Sequence, residues 1–342
     1  MKAIAKTRPE PGVEIVNVDE PKVGPGQVKI KLEAASVCGT DLHIYSWTQW
    51  AASRIKPPLV IGHEFCGTIV ELGKGVTERQ VGDFVASESH IVCGHCKQCL
   101  NGQAQVCVNT VILGVDIDGG FAEYAVIPWQ NARPTDRSIP KEIAAFQDAL
   151  GNAVHTAMAG PLEGRTVLIT GMGPIGLFAV SVCKAAGAST VIATEVSPYR
   201  IDLAYKVGVD AVLSPKDGDL VERILREAPG GVDVTLEMSG HPSSLDLAVE
   251  CTRPGGRISL LGLYKDCAQQ VDMNSIIFKG IDIQGIVGRR LWETWDQMAD
   301  LHKGGKLNLW PVITHSMHYT EFQKAMELMK AGEAGKVVFT FE

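Results

Sequence analysis

No apolar run of about 18 residues occurs in this sequence, so no segment is expected to span a bilayer. The N-terminal stretch MKAIAKTRPEPG lacks the apolar core of a secretory signal, and no export is expected. Positive charge is in deficit: 32 Lys and Arg stand against 39 Asp and Glu, for a net charge of −7. That balance favours solubility and argues against a nucleic-acid or anionic-membrane partner. No internal repeat or low-complexity segment interrupts the chain. A disulfide framework is also missing, because the cysteines number nine and four of them crowd between Cys93 and Cys107. Such usage fits thiols kept reduced in the cytoplasm and spent on metal.

What is present suits two soluble globular domains: 342 residues, 45% hydrophobic and 21% charged. The first 130 or so residues are β-rich, with short alternating or β-branched runs such as QVKIKLEAASV and FCGTIVELG. PGQV, GKGV and GDFV supply turns between them. From about residue 160 the texture changes. Apolar strands (RTVLITG, STVIATE, VDVTLEMSG, RISLLGL) alternate with helical stretches such as PIGLFAVSVCKAAGA, which predicts a parallel sheet covered on both faces. The tail after Gly288 reads as mainly helical and closes on the strand KVVFTFE. The expected division is a β-rich domain over 1–155, a nucleotide-binding domain over 156–288 and a return to the first domain over 289–342.

Residues 165–176, RTVLITGMGPIG, place Gly171, Gly173 and Gly176 in a G-x-G-x-x-G spacing between a strand and a helix. The first glycine permits the turn, the second admits a pyrophosphate to the backbone, and the third lets helix and strand pack closely. The next strand ends in Glu195, 19 residues after Gly176, where an acid accepts hydrogen bonds from the adenosine ribose. A carboxylate there repels a ribose 2′-phosphate and favours NAD over NADP, although Arg200 nearby could accommodate that phosphate.

Cys93, Cys96, Cys99 and Cys107 are spaced C-x-x-C-x-x-C-x7-C, a set able to wrap a tetrahedral, closed and therefore structural zinc. An iron–sulfur cluster and unligated thiols are the rival readings. A second concentration lies in VCGTDLHIY (37–45) and IGHEF (61–65). Cys38, His63 and Glu64 offer one sulfur, one nitrogen and one carboxylate, suited to an open zinc site that polarises a substrate oxygen. Thr40 and His43 follow Cys38 at positions apt for a proton relay. Each residue alone has a plainer reading, as core or as a hydrogen-bonded side chain, and spacing does not show that the two segments meet.

Taken in order, VCGTDLHIY, GHEFCGTIVELG, the cysteine cluster and GMGPIG resemble the zinc-containing medium-chain dehydrogenases over essentially the whole chain. The resemblance implies a GroES-like catalytic domain, a Rossmann domain and a cleft between them. It further implies two zinc ions per chain, with the reactive one on Cys38, His63 and Glu64 and the relay on Thr40 and His43. HIYSWTQW (43–50), DALGNAVHTA (148–157), LEMSG (236–240), IIFKGIDIQGIVGRRLWETW (276–295) and VITH (312–315) are similar to the branch of that family that oxidises the 3-hydroxyl of L-threonine to 2-amino-3-ketobutyrate. Members of that branch are cytoplasmic homotetramers. The likeness implies NAD contacts at Ile175, Glu195, Arg200, Leu261, Gly262, Leu263, Ile286 and Val287, and a relay role for Asp148 beside the metal. Glu64 and Asp148 could meet a substrate ammonium, and Arg289, Arg290 or His90 its carboxylate. Three places depart from the family pattern: Glu195 for the commoner Asp, Phe65-Cys66 for a Tyr-Val pair, and Tyr264-Lys265 for a Pro-rich turn near the nicotinamide. A polyol or diol dehydrogenase of the same fold, and a non-catalytic NAD-binding protein, are the competing functions.

Overall fold

A computed structural model describes residues 1–341, which form two compact units. The first comprises Met1–Ala149 and Ile313–Glu342, the second Leu150–Val312. The expected return to the first domain at residue 289 is therefore displaced to 313. The helix Glu293–Lys303 buries Trp295 and Met298 within the second unit. Asn308 then fastens the segment that follows: its Nδ2 donates to the carbonyls of Lys206 (2.9 Å) and Val207 (3.1 Å). Those carbonyls are the open C-terminal acceptors of the helix Pro198–Val207, so one side chain satisfies groups the helix cannot.

In the first unit the main sheet runs, edge to edge, through Ala132–Pro134, Phe84–Ser87, Glu64–Leu72, Gln27–Ser36, Lys336–Thr340 and Ile313–His318, with Tyr124–Pro128 also on Gln27–Ser36. Its pairs are antiparallel except the last, which the sequence did not foreshadow because ITHSMH lacks apolar alternation. One hydrophobic core, including Ile30, Leu32, Phe65, Ile69, Phe121 and Phe339, fills its inner face. Register matters more than shape here. Ser36 lies opposite Glu64 on one side and Val338 on the other. The end of one central strand and the beginnings of both its neighbours therefore share one edge of the sheet, and Cys38 follows Ser36 by two residues.

The second unit is a six-stranded, all-parallel sheet in the spatial order Ala211–Leu213, Thr190–Thr194, Thr166–Thr170, Val232–Glu237, Thr252–Leu260, Asp282–Gly285. In chain order that is 3-2-1-4-5-6, a doubly wound arrangement whose direction reverses between the first and fourth strands. The inner strands, such as Thr166–Thr170 and Thr190–Thr194, are apolar on both faces because helices cover both. Pro174–Ala185 is correspondingly buried nearly all round, from Gly176 to Cys183. No helix among the described residues is long and apolar enough to cross a membrane.

Candidate functional site

The sheet edge of the first unit gathers the donors. Cys38 Sγ, a ring nitrogen of His63 and a carboxylate oxygen of Glu64 all lie within 4.8 Å of one another. Cys38 caps the helix Gly39–Ser46, and its N–H donates to Asp41 Oδ2 at 2.8 Å. The other oxygen of Asp41 faces His63 Nδ1 at 3.9 Å. Glu64 is fixed through one oxygen only: Ser36 Oγ and Lys336 Nζ both donate to Oε2. Lys336 also donates to the Val37 carbonyl at 3.2 Å. Lys336 and Glu64 are both buried, so their attraction acts in a medium that screens little.

This arrangement fits a bound cation. Glu64 Oε1, His63 Nδ1 and Asp41 Oδ1 are buried with no hydrogen-bond partner, a costly state for groups lacking a ligand. Acidic groups also outnumber basic ones. Burial pushes the Asp41 carboxyl up to about 6, with His63 opposing. Burial on its own would lower the pKa of His63, but Cys38, Asp41 and Glu64 outweigh it and hold the imidazole at about 10. A divalent ion on one sulfur, one imidazole and one carboxylate would give Glu64 Oε1 a partner, offset the excess of negative charge and leave a position open.

Thr40 and His43 stand on the same helix three residues apart, so they share a face. Thr40 Oγ1 is 3.8 Å from Cys38 Sγ. His43 is exposed, with its ring edge-on to Trp50 at 6.2 Å between centroids. The pair thus runs from the Cys38 sulfur towards solvent. Asp148 is buried in the first turn of the helix Gln147–Ala157 and accepts the Ser89 N–H at 2.9 Å. It is not among the three clustered donors. The two arginines expected at a substrate carboxylate differ in setting. Arg289 is buried beside Gly151 with Nη1 on Asn152 Oδ1 at 3.1 Å, and Arg290 faces Glu293 at 3.8 Å.

Cys93, Cys96, Cys99 and Cys107 form a second group of convergent donors. Their sulfurs are 3.5 Å (Cys96–Cys99 and Cys93–Cys107) and 3.8 Å (Cys96–Cys107) apart. A disulfide needs about 2.05 Å. A tetrahedron with Zn–S bonds of about 2.3 Å has edges of about 3.8 Å, so the separations fit a four-thiolate ion site. Hydrogen bonds from Asn109 and from neighbouring backbone N–H groups bring the Cys93 thiol down to about 5, while burial pushes Cys99 up to about 12.

In the second unit every expected nucleotide contact lies in the glycine loop, just after a strand, or in the helix that follows one. Gly171 follows Thr166–Thr170, Glu195 follows Thr190–Thr194, Leu261–Leu263 follow Thr252–Leu260, and Ile286 and Val287 follow Asp282–Gly285. Ile175 is the second residue of the helix Pro174–Ala185, which Gly173 caps, and Arg200 the third of Pro198–Val207. A Cβ at Gly176 would lie 2.0 Å from the Gly171 carbonyl oxygen, so helix and loop close up only around glycine. Glu195 is buried and bridges the crevice: Oε2 accepts from Met172 N at 2.9 Å, and Oε1 from Val196 N at 2.7 Å and Ser197 N at 3.0 Å. Arg200 Nη1 is 4.0 Å from Oε2.

Both halves of the chain match known family models. The zinc-binding dehydrogenase family model matches residues 174–304, and that of the alcohol dehydrogenase GroES-like domain matches residues 24–137. An enzyme of Pyrococcus abyssi named L-threonine 3-dehydrogenase is 53% identical over 341 residues, 99% of this chain and 98% of its own length. The chain belongs to the zinc-containing medium-chain alcohol dehydrogenases. Another relative of that name, from Xanthomonas oryzae pv. oryzae, is 45% identical over 100% of both chains. An Escherichia coli alcohol dehydrogenase solved with NADH has a TM-score of 0.90 at 31% identity, covering 100% of this chain and 99% of that one. The 2R,3R-butanediol dehydrogenase of Bacillus subtilis has a TM-score of 0.89 at 27% identity over 100% and 99%.

As a zinc alcohol dehydrogenase the protein is an NAD(P)-linked oxidoreductase, and the expected α/β pairing of a GroES-like domain with a Rossmann domain is borne out. Sequence reasoning missed Ser36, Asp41 and Lys336. Asp41 lay inside a motif already quoted, but nothing in its spacing marks it as the carboxylate facing His63. Lys336 opens an apolar strand 272 residues from Glu64, and only the sheet register brings the two together.

Proposed function

We propose that the protein oxidises the 3-hydroxyl of L-threonine to give L-2-amino-3-ketobutyrate, with NAD as the hydride acceptor and one proton released. The reading is carried by the full-length similarity to enzymes named L-threonine 3-dehydrogenase, at 53% identity, on a chain whose donor sets and glycine loop are complete. Cys38, His63 and Glu64 would hold one zinc, and Cys93, Cys96, Cys99 and Cys107 a second, two per chain. When bound, the first supplies a Lewis acid for the substrate hydroxyl, and NAD supplies the hydride acceptor.

The remaining work falls to side chains. Thr40 Oγ1 accepts the hydroxyl proton while passing its own towards His43, whose exposed imidazole delivers it to water. Ser36 and Lys336 hold Glu64 by Oε2, so that Oε1, which has no hydrogen-bond partner, is the oxygen that would meet a metal. Asp148, whose carboxylate accepts the Ser89 N–H, would take the relay role and meet the substrate ammonium. Gly171, Gly173, Ile175 and Gly176 cradle the pyrophosphate at a helix N-terminus. Glu195 and Arg200 take the adenosine ribose, and Leu261, Gly262, Leu263, Ile286 and Val287 the nicotinamide end. The two groups stand on opposite sides of the strand-order reversal, as a dinucleotide requires. A buried carboxylate at Glu195, with Arg200 already turned to it, favours NAD over its 2′-phosphate.

The proposed homotetramer is supported by an edge strand, Asp282–Gly285, paired on one side only, and by exposed Ile277, Phe278 and Ile283 beside it. Nine unpaired cysteines suit a reducing cytoplasm, and a net charge of −7 suits a small-molecule enzyme without a nucleic-acid or membrane partner.

NADH formation should be seen with L-threonine and should disappear on removal of zinc by a chelator. Activity on sorbitol or 2,3-butanediol without activity on threonine would replace this reading by a polyol or diol dehydrogenase. Thr40→Val should lower kcat by about 10²–10⁴-fold with zinc content unchanged. An unaltered kcat would remove Thr40 from the relay.

A further inference from the structure

Glu237 ends the strand Val232–Glu237 and is fully buried. Its Oε1 accepts hydrogen bonds from Thr170 Oγ1 (3.2 Å), Ser239 N (2.8 Å), Ser239 Oγ (2.6 Å) and Gly240 N (3.0 Å). Its Oε2 accepts from the Tyr264 hydroxyl at 3.1 Å. Its main-chain carbonyl takes the N–H groups of Leu261 (2.9 Å) and Gly262 (3.0 Å). One residue therefore ties together the ends of three adjacent parallel strands, immediately beside the glycine loop.

The contact is close at the backbone level. A Cβ at Gly240 would lie 2.2 Å from the Leu263 carbonyl oxygen, and one at Gly262 would lie 2.2 Å from Gly240 N and 2.6 Å from Glu237 Oε2. Beyond Leu260 the chain has no regular structure until the helix Met273–Lys279. Leu263 is 94% exposed, and Lys265 and Asp266 are exposed as well, whereas Tyr264 between them is half-buried. Its hydroxyl anchors the start of this stretch, while Val271 packs the far end onto a core cluster with Ile258 and Ile281. Burial and the neighbouring Glu237 carboxylate push the phenol above its usual range, so it stays a donor at working pH.

We propose that Glu237 and Tyr264 form a latch that preorganises Leu261–Leu263 for the nicotinamide end of the cofactor, which makes Tyr264 a positioning residue for that end alone. The proposal rests on the cofactor assignment above, in which Leu261–Leu263 and Glu195 serve opposite ends of NAD. A segment ordered before binding spares the complex the entropy of ordering it, so loss of the latch is read as weaker binding.

The test is Tyr264→Phe, which removes one O–H from the full-length protein. Binding of NADH and of ADP-ribose, which lacks the nicotinamide, is measured for both proteins. The dissociation constant for NADH should rise about fivefold, the worth of one such hydrogen bond, while that for ADP-ribose holds. The Michaelis constant for NAD should rise by a similar factor with that for threonine unmoved, and amide exchange at Leu261–Lys265 should quicken in the free protein. Unchanged NADH binding overturns the latch. So does equal weakening of both ligands, which would mean a merely structural contact. A wild type that binds neither ligand overturns the cofactor assignment itself, and the latch with it.

Discussion

Lys336→Met should destabilise the first unit by about 3–5 kcal/mol, the cost of leaving one member of a buried ion pair without its partner. The side chains of Lys336 and Glu64 are 3% and 1% exposed, so water cannot replace the lost ammonium. Ser36 remains as a donor, but Asp41 and Cys38 add negative charge close by. The deficit should be greatest in protein stripped of zinc, where no cation offsets Glu64. The urea-unfolding midpoint of the chelated variant measures it. The double change Lys336→Met with Glu64→Gln should recover most of the loss, because the stranded charge is gone. An unchanged midpoint in the zinc-free single variant would mean that the pair does not hold this edge of the sheet together.

The same pair fixes a pH window. Burial opposes the ionised form of Glu64, yet Lys336 and His63 hold its carboxyl below the ordinary 4.5. Burial likewise acts against the Lys336 ammonium, but Glu64 and Cys38 raise its pKa above 10.5. A depressed acid stabilises above its unfolded pKa and loses that contribution as pH falls through the folded value. A raised base stabilises below its unfolded pKa and loses it as pH rises through the folded one. Between 4.5 and 10.5 the contribution of the pair is therefore whole.

Cys96→Ser should lower the zinc content by one ion per chain and unfold the loop from Cys93 to Asn109 locally. That loop has almost no core of its own. Its regular structure is limited to Lys97–Leu100 and Ala104–Val106, and Leu100, Val106 and Val108 are exposed. Only Cys107 among the four sulfur donors is buried. Where apolar burial is absent, metal binding supplies the folding free energy of the segment. Metal analysis and amide exchange over residues 93–109 measure the outcome. Retained zinc with retained protection would show that the loop does not depend on the ion, and iron in place of zinc would favour the cluster reading. Cys38→Ser supplies the contrast: it should abolish hydride transfer while exchange in the cysteine loop stays protected.

The sequence alone determined everything encoded in short, local patterns. Apolar strands alternating with helices specify a parallel sheet, because each strand buried on both faces needs a helix on either side. The spacing from Gly171 to Gly176 and the acid at Glu195 belong to one strand–turn–helix unit and its neighbour, so their relation survives in one dimension. The four cysteines lie within one loop, and their spacing brings them together without help from the rest of the fold. Tertiary structure decided whatever depends on partners far apart in the chain. The union of Cys38 with His63 and Glu64 follows from Ser36 standing opposite Glu64 across two strands. The place of Lys336 follows from the last strand pairing with that same central strand. The end of the second unit moved from residue 288 to 312 because Asn308 caps a helix a hundred residues earlier, a contact that leaves no trace in local periodicity. Three of the side-chain hydrogen bonds to Glu237 come from Ser239 and Gly240 just after it in the chain, but those from Thr170 and Tyr264 exist only because neighbouring strand ends meet there. Local propensity and spacing are properties of neighbouring residues. Register and the neutralisation of buried charge are properties of strands brought side by side, and these complete the site.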